Sequence, residues 1–255
     1  MKKSAAFCGT WLGVTIFSLF LLMGPSGAHG NEKIVKLSSL EWPPYIGAEM
    51  ENQGYVAEAV RAAFERRGYR VEIEFFPWNR AVAMAHDGKV DGYFPEYYSD
   101  EVAKDYILSE KFPGGPVGFF KRKDKDISFA KLEDLKGYRI GVVKGYVNTA
   151  EFDAASYLTK DESVDDLMGL KKLLAGRTDL FFCDKFVGNY IGKKNFPDQI
   201  AEIEFMDPIL EDKPFYICFS RATPDGQRIA EDFNKGLAEI TADGTLEALR
   251  RKGGY

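Results

Sequence analysis

Histidine and cysteine are scarce in this sequence: two His and three Cys in 255 residues. Zinc and copper sites are built from clusters of those side chains, so neither a centre of that kind nor a cofactor is expected. An excess of positive charge is also missing. The formal charge is −5, and an acidic chain does not seek phosphate backbones, so nucleic acid is not an expected partner. Nor is there an apolar run of the roughly 20 residues that a spanning helix needs. The strongest candidate, Trp11 to Met23, is only 13 residues long.

The flanks of that run define its role. Lys2 and Lys3 precede it, and Gly24, Pro25 and the small-residue tract "SGAHG" follow, the pattern of a secretory signal peptide over residues 1–30 with cleavage after Ala28 or Gly30. No cysteine stands just past the apolar run and Cys8 lies before it, which argues against a lipid anchor. The expected product is a soluble periplasmic protein whose formal charge, with Lys2 and Lys3 gone, moves from −5 to −7. Its cysteines are Cys183 and Cys218, in the apolar segments "LFFCD" and "YICFS". An oxidising compartment permits a bridge between them, while buried free thiols are the commoner state of such residues.

Hydrophobic periodicity gives an α/β plan. "KIVKLSSL" (33–40) alternates as a strand, and "YVAEAVRAAFERRG" places Val56, Val60, Ala63 and Phe64 on one helical face before Gly68. "VEIEFF" alternates again, a helix is predicted from Trp78 to His86, and "KVDGYF" is the next strand. The order restarts near residue 138: "YRIGVV" as strand, "VNTAEFDAAS" as a helix start, "SVDDLMGLKKLLAG" as a helix with Val164, Leu167, Leu170 and Leu174 aligned, and "TDLFFCD" as strand. Two α/β units therefore follow one another, each predicted to hold a parallel sheet. "FFKRKDKD" (119–126) and "FYICFSRATPDG" (215–226) are the predicted crossings between them. The closing segment is helical, with Ile229, Phe233, Leu237 and Ile240 in register and a break at Gly244.

One internal repeat bears on chemistry. "GKVDGYFPE" (88–96) and "GRTDLFFCD" (176–184) share a glycine, a base, an aspartate, an aromatic pair and a final carboxylate, offset by 88 residues. Each places an acid, Glu96 or Asp184, at the carboxyl end of a predicted strand, where ligands of parallel α/β sheets bind. If the units face each other, both acids face one cleft. An acid there also serves as a helix cap or a surface ion partner, and the repetition favours ligand binding.

The chain resembles the periplasmic solute-binding proteins of ABC importers, polar amino-acid type, in "EWPPYIG", "GYVAEAV", "PWNRAVAMAHDGKVDG", "ILSEKF", "LEDLKGYRIGVVKGYVN", "LLAGRTDLFFCD" and "ADGTLEALRRK". The resemblance implies the two-lobed type II fold, each lobe a mainly parallel sheet with flanking helices, joined by two hinge crossings. Lobe 1 is then 31–120 with 222–255, and lobe 2 is 121–221. It further implies a monomeric receptor that captures a small amino-acid-like ligand by lobe closure and delivers it to an ABC permease in the inner membrane, without catalysis. Asp184 matches the family's amine-binding aspartate. The chain departs from the family at Val102, where the carboxylate-binding arginine usually stands, and offers Glu96, Tyr97 and Tyr98 where small residues are usual.

Arg80 is the sequence's candidate substitute. A cation in the first turn of a helix is disfavoured by roughly 0.3–1 kcal/mol unless an anion sits beside it. Either Arg80 grips a ligand carboxylate bidentately, or it pairs internally with Glu96 or Glu41. Trp42, Tyr45, Trp78, Tyr97 and Tyr146 crowd the same predicted loops, and aromatic faces near two carboxylates suit an ammonium. Backbone amides near Asn148 and Thr149 offer an anion cradle. The expected ligand-binding set is Glu41, Trp42, Tyr45, Trp78, Arg80, Glu96, Tyr97, Tyr146, Asn148 and Asp184. The competing functions are a dehydratase on the same scaffold, a sensor feeding a separate membrane kinase, and a binder of a polyamine-like cation.

Overall fold

A computed structural model of the chain describes residues 33–255 together with 1–4, 6 and 9. Met1–Asn31 and Glu32–Tyr255 are separate units, and the signal peptide assigned to 1–30 lies almost wholly outside the described residues. Among the described residues no helix is long and apolar enough to cross a membrane.

The first parallel unit is built as the sequence periodicity predicts. β1 (Lys33–Ser39) buries Val35 and Leu37. Helix α1 (Tyr55–Glu65) buries Val56, Val60, Ala63 and Phe64 and gives way to Gly68, whose φ of +74° is a left-handed conformation that glycine adopts without strain. β2 (Tyr69–Phe75) runs parallel to β1, α2 (Trp78–His86) follows, and β3 (Gly92–Glu96) pairs with the other side of β1. Then come α3 (Asp100–Asp105), β4 (Tyr106–Leu108) and the long β5 (Phe112–Arg122).

The second unit repeats the plan: β6 (Arg139–Val143), α4 (Ala150–Ala154), β7 (Thr159–Ser163), α5 (Asp166–Leu174) and β8 (Leu180–Asp184), with β7 and β8 parallel to β6 on either side. After it come α6 (Lys185–Asn195), β9 (Ile203–Phe205) and β10 (Glu211–Ser220). The chain closes with α7 (Gly226–Ala242), which lies so near α1 that a Cβ on Gly236 would sit 1.9 Å from the Ala63 carbonyl oxygen, and with α8 (Thr245–Lys252).

The strand order is β2-β1-β3-β10-β5-β8-β6-β7. Two parallel triplets are thus joined by one antiparallel pair, β10 and β5, and this is the two-lobed type II architecture. β5 pairs with β10 over 112–117 and with β8 over 117–121, while β10 goes on to pair with β3 over 216–219. The lobes exchange chain within these two strands, and the predicted crossings, 119–126 and 215–226, overlap their C-terminal parts.

Helix α5 differs from its predicted phase. Val164 is 77 % exposed and Leu167 40 %, whereas Asp166, Gly169, Leu170 and Leu173 are buried. Asp165 caps the helix by accepting from the Met168 backbone N–H at 2.7 Å, which leaves Val164 outside it and turns Asp166 inward. Because two of the buried positions are Asp and Gly, the apolar stripe in the sequence is drawn off the true face.

Candidate ligand-binding site

Both acids of the internal repeat sit where their strands end. Glu96 is the last residue of β3 and Asp184 the last of β8, and both are buried. Asp184 Oδ1 accepts from the backbone N–H groups of Phe186 (2.8 Å) and Val187 (3.1 Å), capping α6, while Oδ2 accepts from the Tyr45 hydroxyl of the other lobe at 3.0 Å. Glu96 accepts from the Tyr97 backbone N–H at 2.7 Å and the Tyr93 hydroxyl at 3.0 Å.

A third buried acid, missed in the sequence, completes the group. Asp166 accepts on Oδ2 from the Trp42 indole N–H (3.1 Å) and the Tyr146 hydroxyl (3.0 Å), and on Oδ1 from the Cys183 thiol (3.4 Å). Burial raises all three: Glu96 and Asp184 are pushed up to about 7 and Asp166 to about 6, against hydrogen bonds that favour the ionised forms. Only one buried cation accompanies them among the described residues, Lys213 on β10, held below its usual range by the same desolvation.

Aromatic rings fill the space between. Trp42 meets Tyr45, Tyr97, Tyr146 and Phe215 with centroids 5.2–6.4 Å apart, mostly edge to face. The Tyr97 phenol feels Asp184, Asp166 and Glu96 together, and its hydroxyl has no hydrogen-bond partner among the described residues. A cavity of about 20 Å³ lies among Trp42, Trp78, Glu96, Tyr97, Tyr146 and Phe215, room for about one water. An open cleft of about 720 Å³ leads inward past Glu41, Phe76, Trp78, Tyr146 and Asp166. Among the described residues, hydrogen bonds join the lobes from Trp42 to Asp166, from Tyr45 to Asp184, and from the Trp78 indole N–H to the Gly145 carbonyl at 2.9 Å.

Gly115 on β5 makes the Tyr45–Asp184 contact possible. A Cβ there would lie 2.0 Å from the Tyr45 hydroxyl oxygen and 2.8 Å from Asp184 Oδ2. Gly115→Ala is expected to lower stability by about 1–3 kcal/mol, the usual range for overpacking a tight site, seen as a lower urea midpoint. An unchanged midpoint would show that the hinge strand shifts freely.

Three of the expected site residues, Arg80, Glu41 and Asn148, stand apart from the rest. Arg80 is exposed, with its guanidinium 4.8 Å from the Phe76 ring centroid. It pairs with neither Glu96, whose partners are Tyr93 and Tyr97, nor Glu41, which accepts from the Ala48 backbone N–H at 3.0 Å. The first-turn penalty is small for a solvated cation on an aromatic face, so no anion is needed there. Glu41 is itself exposed, at the cleft mouth. At Asn148 the N–H groups are taken: backbone and side chain donate to Asp153 at 2.9 and 2.8 Å, while the Thr149 hydroxyl accepts from the Phe152 N–H. Trp42, Tyr45, Trp78, Glu96, Tyr97, Tyr146 and Asp184 are brought together. Cys183 and Cys218 are free and buried.

Two lobes around a polar, aromatic-lined centre define a solute receptor of the binding-protein class. The chain belongs to the bacterial extracellular solute-binding proteins, family 3, whose model matches residues 35–253. It is 24 % identical to the arginine-binding extracellular protein ArtP of Bacillus subtilis (strain 168), over 88 % of this chain and 86 % of that one. It is 26 % identical to the ABC transporter arginine-binding protein 1 of Escherichia coli (strain K12), over 88 % and 91 %. In fold it is similar to an ancestral arginine-binding protein bound to arginine (TM-score 0.71, 22 % identity, 86 % of this chain and 97 % of that one) and to a histidine kinase sensor domain (0.72, 23 %, 86 % and 95 %).

Proposed function

We propose that this protein captures a small amino acid bearing a cationic side chain and delivers it to an ABC permease from the periplasm, to which the leader in residues 1–30 directs it. The observation that carries this is the charge of the site: three buried carboxylates, Glu96, Asp166 and Asp184, against one buried lysine. Such a centre favours a ligand with net positive charge, and the Trp42, Tyr97 and Tyr146 rings add cation–π attraction. The relatives named for arginine agree with that class. Tyr45 and Trp42 now donate to the acids that would hold the ligand, so entry requires the lobes to part about β5 and β10 and closure to re-form around the solute.

The site is read as one of binding alone. Burial and the neighbouring acids raise the Cys183 thiol, opposite to what a nucleophile needs. His86, the one histidine in residues 33–255, is exposed beside Asp87 at the end of α2.

A thermal-shift panel of the twenty standard L-amino acids and L-ornithine tests the reading. Arginine, lysine or ornithine should give the largest shift, since a ligand at 100 times its Kd stabilises by about 2.7 kcal/mol. A panel in which no amino acid shifts the protein, or in which aspartate or glutamate shifts it most, would overturn the assignment.

A further inference from the structure

We propose that Lys213, on the hinge strand β10, is the residue that grips the ligand's carboxylate, in place of the arginine that Val102 replaces. The inference rests on the amino-acid reading above and adds the missing half of it. Lys213 and Phe215 stand two residues apart on β10, so the period of a strand puts both side chains on its buried face, and a bulge in the β5–β10 pairing falls between them. Bulges are frequent beside binding sites.

The Lys213 ammonium is buried, which is costly for a charge unless it is paired and hydrogen-bonded. It donates one hydrogen bond, to the Asn148 carbonyl at 2.6 Å. Glu211, half exposed, forms an ion pair with it at 3.8 Å, too long for a hydrogen bond, and Asp153 and Glu96 add to the negative field around it. An ammonium has three donors, so one is used and two remain.

The ammonium stands 5.0 Å from the Tyr97 ring centroid, and Tyr97 is the ring whose phenol feels Asp184, Asp166 and Glu96 and whose buried hydroxyl has no partner among the described residues. A molecule lying across Tyr97 meets a cation on one side and carboxylates on the other. An amino acid with a cationic side chain has two positive groups and one negative group, the complement of three acids and one lysine. Arg80 lies outside this group, exposed against Phe76.

Calorimetric titration of the purified protein and of Lys213→Met with L-arginine and with agmatine, which is arginine without its carboxyl group, tests the assignment. In Lys213→Met, arginine should weaken at least about 30-fold, as when one partner of a buried charge pair is truncated, and agmatine should change less than about 3-fold. Lys213→Gln is carried alongside in case the methionine variant does not fold, and the same outcome is expected of it. A purely structural lysine would move both ligands together. Equal losses, or arginine binding within about 3-fold of wild type, would overturn the role of Lys213 and leave the amino-acid reading standing. Wild type binding agmatine as tightly as arginine would overturn it too, because the carboxylate would then be unrecognised. Wild type binding neither probe, nor lysine or ornithine, would overturn both readings.

Discussion

Asp184→Asn is expected to weaken L-arginine binding by two to three orders of magnitude while leaving the fold intact. Asparagine keeps the oxygen that accepts from the Phe186 and Val187 N–H groups, and it is as good an N-cap as aspartate. Toward Tyr45 the amide becomes a donor, and the hydroxyl oxygen can accept, so that contact survives with its polarity reversed. The lost item is the negative charge. Removing one member of a buried ion pair typically costs 3–5 kcal/mol, and the bound ammonium would be left desolvated without a counter-charge. The ligand-free variant should melt no lower than wild type at pH 8, because burial already penalises the Asp184 carboxylate and pushes it up to about 7. Calorimetric titration and a melting curve on the same preparation separate these effects. Arginine affinity within a few-fold of wild type would make Asp184 a helix cap and nothing more.

The most informative part of the sequence was its repetition. A single acid after a strand is ambiguous, but Glu96 and Asp184 recur at one position of two similar segments, and the matching strands β3 and β8 end on them. The same periodic reading found α2 at its observed limits and α1 at its observed start, running past its end at Glu65 toward Gly68. It failed at α5, where the inward face carries Asp166 and Gly169, and so it missed the third acid of the site. Lys213 was missed for a related reason. In "EDKPF" it stands among other charges, and although alternation with Phe215, Ile217 and Phe219 puts it on the inward face, only the fold shows that this end of β10 is covered. Arg80 shows the converse error. Its unfavourable position at a helix start is real, but the term is under about 1 kcal/mol for an exposed side chain, too small to demand a partner. Local rules thus found charges at strand ends, while burial, which decides whether a charge needs a partner, became visible only with the tertiary fold.

The pH dependence of the empty protein should run opposite to that of ligand binding. Glu96 and Asp184 titrate near 7 and Asp166 near 6 in the fold, whereas in an unfolded chain such carboxyls titrate near 4. The folded state therefore holds protons between about pH 4 and 7 that the unfolded state has released. The stability this contributes is fully present below about pH 4 and is lost as pH rises through 6 to 7. Glu96 is faced by Tyr93, Tyr97 and Lys213, Asp166 by Trp42, Tyr146, Cys183 and Asp165, and Asp184 by Tyr45 and Asp166. Of these groups only the lysine offsets the burial of charge by attraction. Since one pKa unit is worth about 1.4 kcal/mol, three acids each raised by more than two units amount to a loss on the order of several kcal/mol, read as a ligand-free melting temperature several degrees lower at pH 8 than at pH 5. A bound cation reverses the preference, because it stabilises the ionised carboxylates, so arginine should bind more tightly at pH 8 than at pH 5 and its binding should release protons near pH 6.5. Titrations in two buffers of different ionisation enthalpy would measure that release directly. A ligand-free protein that melts as high at pH 8 as at pH 5, together with a binding enthalpy independent of buffer, would mean that the three carboxylates are ionised throughout and that the site is already wet and open before the ligand arrives.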